Sequence, residues 1–220
     1  MQMEQVGYGQ YIVDIIHRLP TGVPIYTENI AESLAERFKI DLGKAKGLVN
    51  VNLKRIADDN NLERYQKGIY YKAQRTPFGK TKLNPAHIAR DMYIYKNGRI
   101  IGYETGASFL NKIGLTTQIA KYKYYATNVF KQNGSRVDKK LNILIRKPIV
   151  TVTDENYRYL QLLDVIENKD NVPIDALHPE KIIFNYIKAN NLNFEKLVAY
   201  ASKYYRKETL LRVGEIAACE

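Results

Sequence analysis

Apolar residues recur at helical spacing in three stretches near the start of the chain. The stretches cover residues 8–19, 30–38 and 42–56. This spacing puts the apolar side chains on one face of each segment and predicts three amphipathic helices. Thr27 and Asp41 stand just before the second and third stretches, where each is predicted to be a helix N-cap.

Two short strand-like runs follow the third predicted helix. Residues 62–65 and 69–72 flank Gln66-Lys67-Gly68, a pattern that predicts a β-hairpin with a glycine turn. The order helix, helix, turn, helix, hairpin is that of a winged helix-turn-helix domain. We therefore predict such a domain over residues 1–75. Protein-docking modules with the same order of elements are the alternative.

The third helix of a winged helix-turn-helix domain enters the major groove of DNA. Outward positions of the predicted helix carry amide, ammonium and guanidinium groups, which bind base edges and phosphates. The predicted DNA-binding residues are Lys44, Lys46, Asn50, Lys54, Arg55 and, at the hairpin tip, Lys67. Residues 1–75 hold 11 Lys or Arg and 9 Asp or Glu, and this modest charge balance weakens the DNA interpretation.

A second domain is predicted over residues 76–220. Residues 75–83 are basic and predict a linker, after which Asn84 and Pro85 predict the start of a helix. Strand-like runs at 122–130 and 141–145, followed by an apolar run at 149–152, predict a small sheet.

The chain is helical in pattern from about residue 153 to its end. Asp154 and Asn193 are predicted caps of two of these helices. The predicted fold class is therefore α+β and mostly helical. It combines a winged helix-turn-helix, a small-sheet α+β domain and a C-terminal helical segment.

The net charge of +11 is concentrated in the middle of the chain. Residues 76–150 hold 14 Lys or Arg against 3 Asp or Glu, whereas residues 151–220 hold 9 against 11. A region this basic repels itself unless a polyanion or an acidic partner lies nearby. DNA, RNA and an acidic protein surface all fit, and a solvated basic face without a partner is the alternative.

Catalytic and metal-binding patterns are absent from the sequence. His17, His87 and His178 do not have metal-ligand spacing, and no phosphate-binding loop or dinucleotide fingerprint occurs. We expect a protein that is not an enzyme and has no metal or cofactor. The single cysteine, Cys219, the lack of a signal-peptide pattern and the lack of a long apolar run predict a cytoplasmic protein without a membrane partner.

Residues 102–118 form the most distinctive stretch of the chain. Gly102 and Gly106 predict close backbone approach or positive φ at the entrance to a short helix. Gly114 is placed where a left-handed C-cap is required, and Leu115 is predicted to pack after it. Three hydrogen-bonding residues, Thr116-Thr117-Gln118, complete the stretch.

This stretch carries a resemblance to a known family. Its Gly-Leu-Thr-Thr-Gln box at 114–118, with Ala126-Thr127-Asn128 downstream, resembles the AbiEi family, the antitoxins of type IV toxin–antitoxin systems. The resemblance implies an N-terminal winged helix-turn-helix that binds double-stranded operator DNA and represses its own operon. It also implies a C-terminal antitoxin domain, here 76–220, that counters a nucleotidyltransferase-type toxin. Such antitoxins are described as acting without a stable toxin complex.

The box permits two interpretations. In one, the polar residues satisfy backbone groups at a helix end; in the other, they form a partner-binding surface with nearby lysines. The residues of that antitoxin surface would be Thr116, Thr117, Gln118, Lys121 and Lys123. The alternative function for the whole chain is a winged-helix transcriptional regulator with a C-terminal sensor or docking domain and no toxin partner.

Overall fold

The computed structural model describes residues 7–59 and 62–219. It is an α+β structure that divides into two compact units between Asn84 and Pro85. The division lies beyond the predicted boundary at residues 75 and 76, because the segment predicted to be a linker is folded with the first unit.

The first unit contains three helices and two small sheets. Its elements are α1 (Tyr8–Arg18), β1 (Ile25–Tyr26), α2 (Thr27–Phe38), α3 (Leu42–Asp59), β2 (Leu62–Gln66), β3 (Ile69–Lys72), β4 (Arg75–Thr76) and β5 (Gly79–Lys80). A three-stranded antiparallel sheet has the order β1-β3-β2, and β4 pairs with β5. The three predicted helices and the predicted hairpin are confirmed.

The core of the first unit comes from the apolar faces that the periodicity predicts. Ile12, Leu34, Val49 and Leu53 are fully buried in one cluster that also includes Ile25 of β1. Burial of such side chains stabilises a fold by about 1.5–3 kcal/mol each. The amphipathic pattern therefore determines how these three helices pack.

The short connection between α2 and α3 is well defined. Lys39 adopts a left-handed conformation with φ 54°, and Asp41 caps α3 by accepting a hydrogen bond from the backbone N–H of Lys44 at 3.1 Å. The predicted cap at Asp41 is confirmed. The predicted cap at Thr27 is wrong by one position, since Thr27 is the first helical residue and Tyr26 precedes it.

The predicted linker is a second hairpin. Thr76 Oγ1 donates to the Gly79 carbonyl at 2.8 Å and closes the turn between β4 and β5. An ion pair between Lys80 and Glu63 holds this hairpin against β2. The strand β1 was also not predicted, because two residues are too few to show a period and β1 forms only through its pairing with β3.

The second unit is built from a four-stranded sheet and surrounding helices. Its elements are α4 (Pro85–Tyr93), β6 (Tyr95–Lys96), β7 (Arg99–Ile100), β8 (Gly102–Thr105), α5 (Gly106–Lys112), β9 (Lys123–Thr127), β10 (Ser135–Asp138), β11 (Ile143–Arg146), α6 (Tyr157–Asn168), a 3-10 turn (Lys169–Asn171), α7 (Pro179–Ala189), α8 (Phe194–Tyr204) and α9 (Lys207–Ala217). The sheet order is β10-β11-β9-β8; β9 and β11 are parallel and the other pairs antiparallel.

Helix α6 links the sheet to the C-terminal helices. Leu160 packs on Tyr103 and Ala126 of the sheet, while Leu163 and Ile166 belong to the core that α5, α7, α8 and α9 share. Every residue from Tyr159 to Ile166 is buried. The predicted helical C-terminal segment is confirmed, and α6 is its central element.

Some local predictions for the second unit are wrong. The predicted close approach at Gly102 and positive φ at Gly106, which is 66°, are confirmed, but residues 102–105 form strand β8 before the helix, and 149–152 form no strand. Strand β10 lies between the two predicted strand-like runs, where no strand was predicted. Asp154 does not cap α6, because its Oδ1 accepts from the backbone N–H of Ile100 at 2.7 Å. The cap at Asn193 is confirmed by a bond from the Lys196 N–H at 2.9 Å.

Candidate functional site

The outer face of α3 is open and polar. Ala45, Val49 and Leu53 are fully buried, so at 100° per residue Lys54 falls towards the opposite side and Asn50 on its flank, about 100° from the centre of the buried stripe. Both side chains are exposed. The face therefore presents an amide and an ammonium group to solvent on a rigid helix.

Two glycines lie near the centre of this face. Gly43 and Gly47 lie in line with Asn50 and Lys54, and no atom lies within 4 Å of a Cβ built on Gly47. At Gly47 a ligand can therefore approach the helix backbone closely, whereas at Gly43 the Asp41 carboxylate lies 2.8 Å from a Cβ built there. Lys44 is exposed at one margin of the face.

The remaining predicted DNA-binding residues lie around this face. Lys46 Nζ is 3.5 Å from Glu28 Oε1, with both side chains about half exposed, so this lysine already has a partner. Arg55 is exposed on α3, and Lys67 is exposed in the turn between β2 and β3. All six residues are therefore accessible, five of them on one helix.

In the second unit, Gly114 ends α5. It adopts φ 81°, and the backbone N–H of Leu115 donates to the Leu110 carbonyl at 2.9 Å. The Gly114 N–H donates to the Asn111 carbonyl at 3.0 Å, which completes a Schellman motif. Leu115 is 1% exposed in the same core as Leu110. The predicted left-handed cap and the predicted packing of Leu115 are confirmed.

The two threonines of the box contact a distant aspartate. Thr117 donates its backbone N–H and its hydroxyl to Asp175 Oδ2, each at 2.7 Å, and Thr116 Oγ1 donates at 3.3 Å. These hydrogen bonds, led by the Thr117 N–H, lower the pKa of Asp175. The backbone N–H of Asp175 in turn donates to the Leu115 carbonyl at 3.1 Å. The box thus connects the end of α5 to the segment before α7.

The other antitoxin-surface residues are not part of that connection. Gln118, Lys121 and Lys123 are exposed, and Ile119 between them is 94% exposed. Thr116 is only 4% exposed and cannot offer its side chain to a partner. The structure therefore separates the predicted surface into a buried Thr116, an exposed Thr117 whose hydroxyl is bonded to Asp175, and an exposed segment that carries Gln118, Lys121 and Lys123.

Thr127 and Asn128 join two segments at the edge of the sheet. Asn128 Nδ2 donates to the Val152 carbonyl at 2.8 Å, and the Val152 N–H donates to Asn128 Oδ1 at 2.9 Å. Thr127 is fully buried, and its hydroxyl donates to the Ile101 carbonyl at 3.4 Å. Thr127 and Asn128, which contribute to the resemblance, therefore both make hydrogen bonds within the fold.

A buried polar cluster that sequence reasoning missed lies between the sheet and α6. Asp164 is 2% exposed and ion-paired with Arg146; it accepts hydrogen bonds from Tyr103 at 2.9 Å and Tyr205 at 3.1 Å. Burial raises the pKa of Asp164, an effect that the Arg146 guanidinium opposes. Burial and the Asp164 charge raise the pKa of both tyrosines. No local motif marks the cluster, since its residues come from β8, β11, α6 and the turn after α8.

Metal and membrane sites are not evident in the described residues. Residues 7–59 and 62–219 contain no group of three or more His, Cys, Asp or Glu arranged to hold a metal ion. Among the described helices, not one combines the length and the hydropathy that a membrane crossing requires.

In comparisons with known proteins, no family model and no curated protein matches this chain.

Proposed function

We propose that the first unit is a winged helix-turn-helix domain that binds double-stranded DNA. The observation that carries this proposal is the outer face of α3, where Asn50 and Lys54 are exposed away from the buried core. The short turn between α2 and α3 and the order β1-β3-β2 of the sheet are those of this domain type.

The chemistry of α3 suits the major groove. An asparagine amide pairs bidentately with adenine, and lysine binds guanine or phosphate. The absence of a side chain at Gly47 lets this part of the helix approach the floor of the groove closely. Lys67, at the tip of the β2–β3 hairpin, is placed for a phosphate contact outside the groove.

We propose further that the chain is the antitoxin of a type IV toxin–antitoxin system. Its support is the resemblance of residues 114–118 and 126–128 to the AbiEi family. On this proposal the first unit represses its own operon, and the second unit counters a nucleotidyltransferase-type toxin without being an enzyme itself. The exposed Gln118, Lys121 and Lys123 are then the accessible part of the antitoxin surface.

A transcriptional regulator without a toxin is the second candidate. One observation favours it: Thr116, Thr117 and Asn128 of the resembling stretch all make internal hydrogen bonds. Residues whose contacts are structural are evidence for a shared fold and not for a shared activity. On this proposal the second unit is a sensor or docking domain.

Gel-shift titrations of the full chain test DNA binding. We expect its own promoter to bind more tightly than a scrambled duplex. Asn50→Ala should cost about 1–3 kcal/mol at one base position, and Lys54→Ala should weaken all sequences and lower the salt slope by about one. Lys196→Ala, on α8 of the second unit, is the matched control. Equal binding of every duplex by wild type and Asn50→Ala would contradict base reading.

Co-expression separates the antitoxin from the plain regulator. The gene next to that of this protein is expressed with and without it, and growth is measured. Rescue of growth by the wild type supports the antitoxin, whereas a harmless neighbouring gene supports the regulator. An Asn50→Ala, Lys54→Ala double variant should still rescue if neutralisation belongs to the second unit.

A further inference from the structure

Two neighbouring parallel strands, β9 and β11, end at the same edge of the four-stranded sheet. Their register runs from Lys123↔Ile143 to Ala126↔Arg146, and β10 pairs with the other side of β11. The segment from β9 to β10 must therefore cross the carboxyl end of β11. In open sheets, ligands bind in the crevice beyond the carboxyl ends of parallel strands.

An open cleft of about 250 Å³ lies at this edge. The segment that leaves β9 contributes Phe130 and Lys131, and the segment that leaves β11 contributes Lys147, Pro148 and Ile149. The volume is slightly below the roughly 300 Å³ at which ligand pockets commonly begin. The cleft is therefore suited to one part of a small ligand, with the remainder at the open rim.

The shape of the cleft is held by a hydrogen-bonded pair. The Asn128 side chain and the Val152 backbone exchange two hydrogen bonds, at 2.8 and 2.9 Å. This pair joins the two segments that line the cleft. Both polar atoms of the Asn128 amide are bonded to the Val152 backbone, so the two segments that line the cleft are held together without a ligand.

The charge of the cleft is uncompensated. Lys131 and Lys147 are both exposed, and none of the lining residues is acidic. Within the part of the chain that the structure describes, neither ammonium group has an ion-pair partner. Two ammonium groups at one cleft bind a phosphate through charge-assisted hydrogen bonds.

The walls are apolar. Phe130 and Pro148 are buried and form the inner surface, and Ile149 is 45% exposed at the side. A free phosphate would leave the exposed part of Ile149 in water, whereas a planar base would cover it. Both halves of a nucleotide, base and phosphate, thus have a complementary surface.

We propose that this cleft binds a nucleotide, with its base against Phe130 and Ile149 and its phosphates between Lys131 and Lys147. The site consists of residues of the second unit alone, and the proposal does not depend on DNA binding by the first unit. The test uses no duplex, so its failure would leave the proposed function untouched.

Isothermal titration calorimetry of the full chain at low salt tests the site with three probes: ADP, adenosine and inorganic phosphate. We expect ADP to bind at least about tenfold more tightly than either of the others, because only ADP uses both surfaces. Lys131→Gln and Lys147→Gln should each weaken ADP binding by about tenfold. Lys112→Gln and Lys181→Gln, at exposed lysines elsewhere in the second unit, should leave it unchanged.

A steric variant keeps the charges and fills the cleft. Ile149→Trp should abolish ADP binding while the melting temperature stays near that of the wild type, since Ile149 is largely exposed. The proposal is overturned if ADP binds no more tightly than phosphate. It is also overturned if the Lys112 and Lys181 variants weaken ADP binding as much as the cleft variants, which would indicate a diffuse basic surface.

Discussion

Thr117 and Asp175 are 58 residues apart in the chain but are joined by two hydrogen bonds. The backbone N–H and the hydroxyl of Thr117 both donate to the same carboxylate oxygen of Asp175, each at 2.7 Å. Thr116 adds a third bond, at 3.3 Å. The most distinctive motif of the sequence is therefore an internal clamp between the end of α5 and the segment before α7.

Thr117→Ala should lower the melting temperature, because it removes one of the two short bonds to Asp175. Thr117→Ser keeps the hydroxyl and serves as the control, and Gln118→Ala should have no effect because that side chain is exposed. Thermal unfolding followed by circular dichroism measures this. Identical melting temperatures for Thr117→Ala and wild type would show that the clamp contributes nothing.

The same clamp predicts a dependence on pH. The pKa of Asp175 is lowered below its ordinary value of 3.8, chiefly by the Thr117 N–H. A carboxyl group whose pKa is lower in the folded state stabilises the fold above the unfolded pKa, and this contribution is lost as the pH falls through the folded pKa. Asp175→Asn should therefore reduce the difference in melting temperature between pH 6 and pH values below about 3.8.

Gly102 and Gly114 should respond differently to alanine. A Cβ on Gly102 would lie 2.1 Å from the Tyr93 carbonyl oxygen and 2.7 Å from that of Ala126, so backbone must move. A Cβ on Gly114 meets nothing within 4 Å, and only its φ of 81° opposes substitution. In urea unfolding we expect Gly114→Ala to lower the free energy of unfolding by about 1–2 kcal/mol. Gly102→Ala should lower it by clearly more. Equal losses would contradict the close approach at Gly102.

Breaking the buried Arg146–Asp164 ion pair should strongly destabilise the fold. Arg146→Met leaves the carboxylate of Asp164 buried without its cation and should cost about 3 kcal/mol in urea unfolding. Arg146→Met combined with Asp164→Leu should recover much of that loss, because no charge then remains buried. Lys46→Met is the control: the side chains of Lys46 and its partner Glu28 are 46% and 49% exposed, so the loss should be at most about 1 kcal/mol. A double variant less stable than Arg146→Met would contradict this account.

Gly47 offers a test of the DNA-facing side of α3 that does not remove a charge. Gly47→Leu should stabilise the helix by about 0.5–1 kcal/mol, because the glycine is exposed in a helix interior, and should abolish duplex binding by blocking close approach. Gly214→Leu, at an equally open glycine of α9, should be stabilising without any effect on DNA. Normal duplex binding by Gly47→Leu would exclude this face of α3 as the DNA contact.

Much of the first unit was predictable because its helices are long enough to show a period. The stripes through α1, α2 and α3 place Ile12, Leu34 and Val49 in one core, as the structure shows. The outward position of Asn50 and Lys54 follows from the same stripe, since a residue that is out of phase with the buried positions must face solvent. The left-handed Gly114 was predictable for a similar reason, because the signal is local.

Strands β1, β8 and β10 were not predictable, because each has only two to four residues and exists through pairing with a distant strand. The cleft beside Lys131 and Lys147 likewise depends on β9 and β11 lying parallel and adjacent. By itself the sequence determined the helical faces, the caps at Asp41 and Asn193 and the uneven charge. Only the tertiary structure decided that Thr117 meets Asp175 and that Arg146 meets Asp164, because hydrogen bonds and ion pairs between distant residues leave no periodic signal in the chain.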